Sequence, residues 1–157
     1  MLIYLGADHR GFELKEKVKK FLTERAYPVS DISEPTLTPE DDYPEIAKRA
    51  AEKVSIDFDR AKAILICGSG VGMCVVANKY PNVRAALGFS ADQAFDSRRE
   101  DDVNVLCLAA GHINEEEALK TVVAWLQTPF SGEDRHRRRL RQLEKIEAEI
   151  AERGRRL

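Results

Sequence analysis

Residues Cys67-Gly68-Ser69-Gly70-Val71-Gly72 set a thiol and a hydroxyl into a run with glycine at every second position. The run follows the apolar stretch Ala63-Ile64-Leu65-Ile66, which reads as a buried strand, and precedes a helix-like stretch. Glycines let the backbone approach a ligand closely, and a helix starting near Gly72 aims unsatisfied N–H groups at that ligand. An anion, or an oxyanion that develops during a reaction, is favoured there. The same amides would stabilise a thiolate at Cys67, which could serve as a base or a nucleophile. The competing reading is a small buried hydrophobe, the role expected of Cys74 and Cys107. Met73 stands where the third glycine of G-x-G-x-x-G would fall, and no G-K-[ST] follows, so dinucleotide and P-loop readings are weak.

Three other groups could join this centre. Asp8-His9 follows a short apolar run and could bind hydroxyls or a phosphate, or open a sugar ring by acid–base exchange; an Asp capping the next helix beside an exposed His is the alternative. Arg135 and Arg139 share a helix face at i, i+4, and two guanidinium forks on one face suit a phosphate dianion. A solvated basic face balanced by Glu144, Glu147 and Glu149 is the alternative there. The run Ser97-Arg98-Arg99-Glu100-Asp101-Asp102 could bring a carboxylate into a crevice or simply end a helix in solvent. Its acids have no His at metal-ligand spacing, so no metal site is expected.

Positioning these residues requires a sheet. Leu2–Ala7, Tyr27–Ile32, Lys62–Cys67, Val83–Phe89 and Val103–Ala109 read as five strands. Helical faces lie between and after them, as in Leu14, Val18, Phe21 and Leu22, or Leu119, Val122, Val123 and Leu126. The alternation predicts a Rossmann-like, three-layer α/β/α sandwich on a five-stranded parallel sheet, plus a C-terminal helix. Ligands of such sheets bind beyond the carboxyl ends of the strands, so Asp8-His9 and Cys67 to Gly72 should face one crevice. Asp31 to Asp42 reads as a surface loop, with Asp42 and Glu45 as a capping box and Pro44 in the first turn of the next helix. From about Glu133 a charged helix keeps a narrow apolar stripe, Leu140, Leu143, Ile146 and Ile150, of the kind that packs on a neighbour or a second subunit.

Composition narrows the function classes. A chain of 157 residues that is 43% hydrophobic and 33% charged fits one domain spanning residues 1–157. The 25 basic and 27 acidic side chains leave a formal charge of -2, which gives no general attraction to nucleic acid or membranes. The first eight residues lack the basic start of a signal peptide, and no apolar run approaches the ~20 residues that span a bilayer. Three cysteines without C-x-x-C spacing argue against a disulfide framework, so a reducing cytoplasm is the expected location.

In combination and order, the motifs resemble the ribose-5-phosphate isomerase B family, which includes the two-subunit galactose-6-phosphate isomerase. They are G-x-D-H at Gly6 to His9 with Gly11-Phe12, D-Y-P at Asp42 to Pro44, C-G-S-G-V-G at Cys67 to Gly72 with Ala77-Asn78-Lys79, N-V-L at Asn104 to Leu106, and R-H-x-x-R at Arg135 to Arg139. The resemblance implies a homodimer or dimer of dimers with active sites built from both subunits and no cofactor. It implies an enzyme that interconverts aldose and ketose phosphates through a cis-enediolate. Cys67 matches the family's base and Ser69 its neighbouring hydroxyl. The amides of Gly68, Gly70, Val71 and Gly72 match the cradle of the enediolate, Asp8 and His9 match substrate-binding positions, and Arg135 and Arg139 match phosphate-binding arginines.

Three positions depart from the family pattern. Glu100 replaces a ring-opening histidine, Asp101 replaces an asparagine near the enediolate, and Gly111, beside His112, replaces a third phosphate arginine. A carboxylate can exchange protons, which makes Glu100 the candidate acid. Two acids gained and one arginine lost disfavour a dianion, since one close like-charge contact costs roughly 4 kcal/mol at an effective dielectric of about 20. Because Cys67, the glycine loop and the Arg135/Arg139 pair all remain, the expected function is still ribose 5-phosphate isomerisation. A different sugar phosphate, such as a hexose 6-phosphate, and a non-catalytic binding subunit are the alternatives.

Overall fold

The structure, a computed structural model, describes residues 1–154; residues 155–157 lie outside the described residues. Strand and helix alternate as β1 (Leu2–Ala7), α1 (Phe12–Glu24), β2 (Val29–Asp31), α2 (Tyr43–Ile56), β3 (Ala61–Cys67), α3 (Val71–Ala77), β4 (Ala85–Gly88), α4 (Ala91–Asp101), β5 (Val105–Ala109), α5 (Glu115–Gln127) and α6 (Asp134–Gly154). The five strands form one parallel sheet in the order β2-β1-β3-β5-β4. The predicted three-layer α/β/α architecture is the one observed.

A parallel sheet covered on both faces needs strands apolar on both sides, which is what the runs in β3 and β5 supply. One face carries Leu14, Val18 and Leu22 of α1 with Ala118, Val122 and Trp125 of α5, packed on Ile3, Leu5, Ile64, Ile66, Leu106 and Leu108. The other carries Ile46, Ala47, Ala50, Ala51 and Val54 of α2 with Met73 and Ala77 of α3, packed on Ala63, Leu65, Val105 and Cys107. Alternate residues of each central strand thus enter opposite cores.

Several boundaries differ from the sequence expectation. β2 covers only Val29–Asp31, because Ala26 takes a left-handed turn (φ 58°) after α1 and Tyr27 packs into the α1 core. β4 and β5 start two residues later than expected because the Asn104 side chain intervenes. Its Oδ1 accepts the Arg84 N–H at 2.8 Å and its Nδ2 donates to the Asn82 carbonyl at 2.8 Å. The capping box at Asp42 does not form. Asp42 is the N-cap of α2, but its carboxylate accepts no helix N–H; its carbonyl takes the Glu45 N–H at 3.2 Å. Pro44 does occupy the first turn.

The C-terminal helix α6 buries only His136. Leu143, Ile146 and Ile150 on its stripe remain 45%, 51% and 64% exposed, so within one chain the stripe is largely uncovered. No described helix is long and apolar enough to cross a membrane.

Candidate active site

The sheet order decides which loops meet. β1, β3 and β5 are consecutive neighbours, so the segments after their carboxyl ends abut: Asp8-His9-Arg10, Cys67-Gly68-Ser69 and Gly111-His112. The Asp8 N–H donates to the Ile66 carbonyl at 3.3 Å, which carries the β1–β3 ladder one residue past the strand.

Asp8 is buried, and its carboxylate accepts the N–H groups of Arg10 and Gly11, each at 3.0 Å. It therefore closes a side-chain turn ahead of α1 instead of capping that helix, whose N-cap is Gly11. Burial pushes the Asp8 carboxyl above its ordinary range, with the Gly11 hydrogen bond opposing. His9 is held by Asp41, whose Oδ1 meets both the His9 N–H and Nδ1 at 2.8 Å. That hydrogen bond raises the His9 pKa by favouring the imidazolium.

Cys67 is the last residue of β3 and 4% exposed, with its side chain in the core beneath α2 and α3. The Gly70 N–H donates to its Sγ at 3.1 Å. That geometry depends on Gly70 adopting a left-handed conformation, φ 71°, at the N-cap of α3. The first-turn N–H groups of α3, from Val71, Gly72 and Met73, have no acceptor within the helix. They follow directly on the turn that carries Cys67 and Ser69. The Tyr43 ring covers Gly72, since a Cβ there would lie 2.7 Å from Tyr43 Cε2. Cys107 is fully buried, as expected, and the neighbouring Cys74 thiol and burial push its pKa well up. Cys74 is only partly buried and directs its thiol to the Ala85 carbonyl at 3.4 Å.

Beside the turn lies a cleft of about 290 Å³, lined by Ser69, Val71 and His112 together with Leu87, Phe89 and Ile113. It sits at the carboxyl ends of β3, β5 and β4. A larger apolar groove of about 630 Å³, between Phe21, Tyr27, Leu119 and Val123, holds none of the candidate residues.

Asp8-His9 and Cys67 to Gly72 thus meet at one edge, as expected, while the remaining candidates lie elsewhere in the chain. α4 runs back across the sheet from the carboxyl end of β4, so Glu100 and Asp101 at its C-terminus reach the amino edge, whereas Cys67 ends β3 at the carboxyl edge. Register pairs Ala63 with Val105 and Cys67 with Ala109, so the strand run between these levels alone spans about 13 Å. Arg135 and Arg139 share that far location. The first turn of α6 packs His136 against α4, with His136 Nε2 3.9 Å from Glu100 Oε2 and Nδ1 2.6 Å from Ser131 Oγ. Arg135 Nε donates to Glu133 at 2.9 Å. Asp101 borders a cavity of about 390 Å³ with Arg84, Leu143 and Ile146, next to the uncovered stripe of α6.

One chain therefore places its candidate residues in two groups on opposite edges, two candidate half-sites. Asp8, His9, Cys67, Ser69 and the glycine loop form the first, and Glu100, Asp101, Arg135 and Arg139 form the second. Asp41, Tyr43 and Arg10 are the neighbours of the first half-site to which the sequence assigned no role. Of these only Tyr43 lay in a recognisable motif. Among the described residues no group of three or more His, Cys, Asp or Glu side chains converges as a metal site.

Known proteins place these half-sites in context. The crystal structure of ribose-5-phosphate isomerase B from Mycoplasma genitalium with bound ribulose-5-phosphate superimposes with a TM-score of 0.91, at 37% identity, covering 94% of this chain and 97% of that one. The probable ribose-5-phosphate isomerase B of the same organism is 37% identical over 147 residues, 94% of this chain and 96% of the relative. D-erythrulose-4-phosphate isomerase of Pectobacterium atrosepticum is 33% identical over 130 residues, 83% of this chain and 85% of the relative. The family profile described as Ribose/Galactose Isomerase matches residues 3–143. With the fold, the ordered motifs and these likenesses in agreement, the chain belongs to the Ribose/Galactose Isomerase family.

Proposed function

We propose that the protein is an aldose–ketose isomerase interconverting ribose 5-phosphate and ribulose 5-phosphate, with Cys67 as the base. The observation that carries this reading is the Gly70 N–H on Cys67 Sγ at 3.1 Å, in a turn that also presents Ser69 and the free amides of α3. A thiolate there takes the proton from C2 of the open-chain aldose, the electron pair forms the C1–C2 double bond, and the carbonyl oxygen becomes the enediolate oxyanion. Transfer of the O2 proton to O1, with return of the abstracted proton to C1, gives the ketose, C2=O with C1H2–OH. Peptide N–H donors placed at a developing oxyanion typically contribute ~3–4 kcal/mol each to such a step. Ser69 and His112 line the cleft where the sugar would lie, and Asp8 and His9 would hold its hydroxyls or its phosphate.

A second copy of the chain would complete the site. Its Glu100 would exchange protons during ring opening, its Asp101 would approach the enediolate, and its Arg135 and Arg139 would bind the phosphate. The uncovered stripe of α6 supports a paired assembly, since apolar side chains at this spacing are normally covered. Purified protein should convert ribose 5-phosphate to ribulose 5-phosphate and exchange the C2 proton in deuterated water, and Cys67→Ala should remove nearly all of both. Turnover unaffected by Cys67→Ala would reject the base assignment. Ligand binding without any proton exchange by the wild-type protein would favour a non-catalytic subunit.

A second reading, an isomerase of a different sugar phosphate, is supported by Glu100, Asp101 and Gly111 and by the likeness to D-erythrulose-4-phosphate isomerase. Comparing kcat/KM across four-, five- and six-carbon sugar phosphates separates the two readings.

A further inference from the structure

Arg10 follows the Asp8-His9 pair, and its backbone is fixed because its N–H donates to the Asp8 carboxylate at 3.0 Å. Its side chain turns onto the catalytic loop. A Cβ built at Gly68 would lie 2.5 Å from Arg10 Nε and 2.7 Å from Nη1, and nearer still to Cζ. Since the central carbon is closer than either nitrogen, the face of the guanidinium, not its edge, meets Gly68. The N–H groups lie in the plane of that fork and are left free for another partner. Among the described residues the guanidinium forms no ion pair and no hydrogen bond.

The third wall of this seat is Gly111. A Cβ there would lie 3.8 Å from Arg10 Nη2 and 2.9 Å from the Gly68 carbonyl oxygen. A side chain at position 68 would displace Arg10, whereas one at 111 would crowd the Gly68 carbonyl and only touch Nη2. An exposed arginine normally leaves its fork in water, where its entropy is greatest. Here Gly68 and an Asp8-anchored turn hold a fork without a partner on the loop that follows Cys67, with His9 on the same segment biased toward its cationic form.

We propose that Arg10 is an anion-binding residue of the crevice, and that the anion is the terminal phosphate of the substrate sugar. The identity of the anion rests on the isomerase reading above, while the site itself does not. A planar fork with several unsatisfied donors matches a tetrahedral oxyanion, which it grips through two parallel hydrogen bonds, and a lysine at this position would supply charge without that geometry. Arg10 would hold the phosphate from the Cys67 side, opposite the arginines contributed by the second copy.

The test compares the wild type with Arg10→Ala and Arg10→Lys, all confirmed folded by circular dichroism. Calorimetric titration with inorganic phosphate should show affinity at least ~10-fold weaker in Arg10→Ala and partly restored in Arg10→Lys. With the preferred sugar phosphate, Arg10→Ala should raise KM by a similar factor and leave kcat within about threefold, as expected for uniform binding of a remote group. Phosphate affinity equal in wild type and Arg10→Ala overturns the proposal, as does a fall in kcat with phosphate affinity unchanged. If the wild type isomerises no sugar phosphate, the isomerase reading fails, and the titration with inorganic phosphate still decides whether Arg10 binds an anion.

Discussion

Asp41 reaches across a sequence separation of 32 residues to hold both the main chain and the ring of His9 through one carboxylate oxygen, each contact at 2.8 Å. The bond orients the imidazole beside the crevice and ties the loop before α2 to the end of β1. It also biases the ring toward its charged form.

That bias has a definite dependence on pH. The Asp41 hydrogen bond raises the His9 pKa in the folded protein above its ordinary 6.5. The stabilisation from the pair is complete below the unfolded value and is lost as pH rises through the folded one. Asp41→Asn should bring His9 back toward 6.5, read from the imidazole proton shifts in an NMR titration. A His9 titration identical in both proteins would show that Asp41 does not govern it.

Gly70 combines a left-handed backbone with a crowded site. A Cβ there would collide with Leu87 and lie 3.1 Å from the Leu108 carbonyl carbon. Gly70→Ala should cost about 1–3 kcal/mol from backbone strain, before any crowding. That corresponds to a fall in Tm of roughly 3–10 °C for a chain of this size. It should also displace the N–H that faces Cys67 Sγ, so residual folded protein should have lower kcat. An unchanged Tm would mean that the turn can relax without loss.

Separation of the half-sites predicts complementation between inactive variants. If each site takes Cys67 from one copy and Arg135 with Arg139 from another, Cys67→Ala and the double variant Arg135→Ala/Arg139→Ala should each be inactive alone. Unfolded together and refolded as a mixture, random pairing makes half of the dimers mixed, each with one intact site, which restores about a quarter of wild-type activity. No recovery on mixing, with mixed dimers verified by mass spectrometry, would show that each chain works with its own residues.

By itself the sequence determined the layered sheet and the placing of a thiol at the end of β3, ahead of a glycine-rich turn. Apolar runs long enough to be strands alternate with helical faces, and local periodicity is a short-range property that needs no knowledge of partners. The glycine-rich turn after Cys67 was equally legible, because a left-handed residue at Gly70 and a close approach at Gly68 demand glycine. The tertiary structure alone decided what lies beside that turn. Strand order β2-β1-β3-β5-β4 is set by long-range pairing, and it brings Arg10 onto Gly68 and Asp41 onto His9, contacts that no local pattern encodes. It decided equally that Glu100 and Asp101 stand at the far edge, because a helix returning between parallel strands carries its C-terminal residues back to where the next strand begins, and that Arg135 and Arg139 join them, because His136 packs the start of α6 against α4.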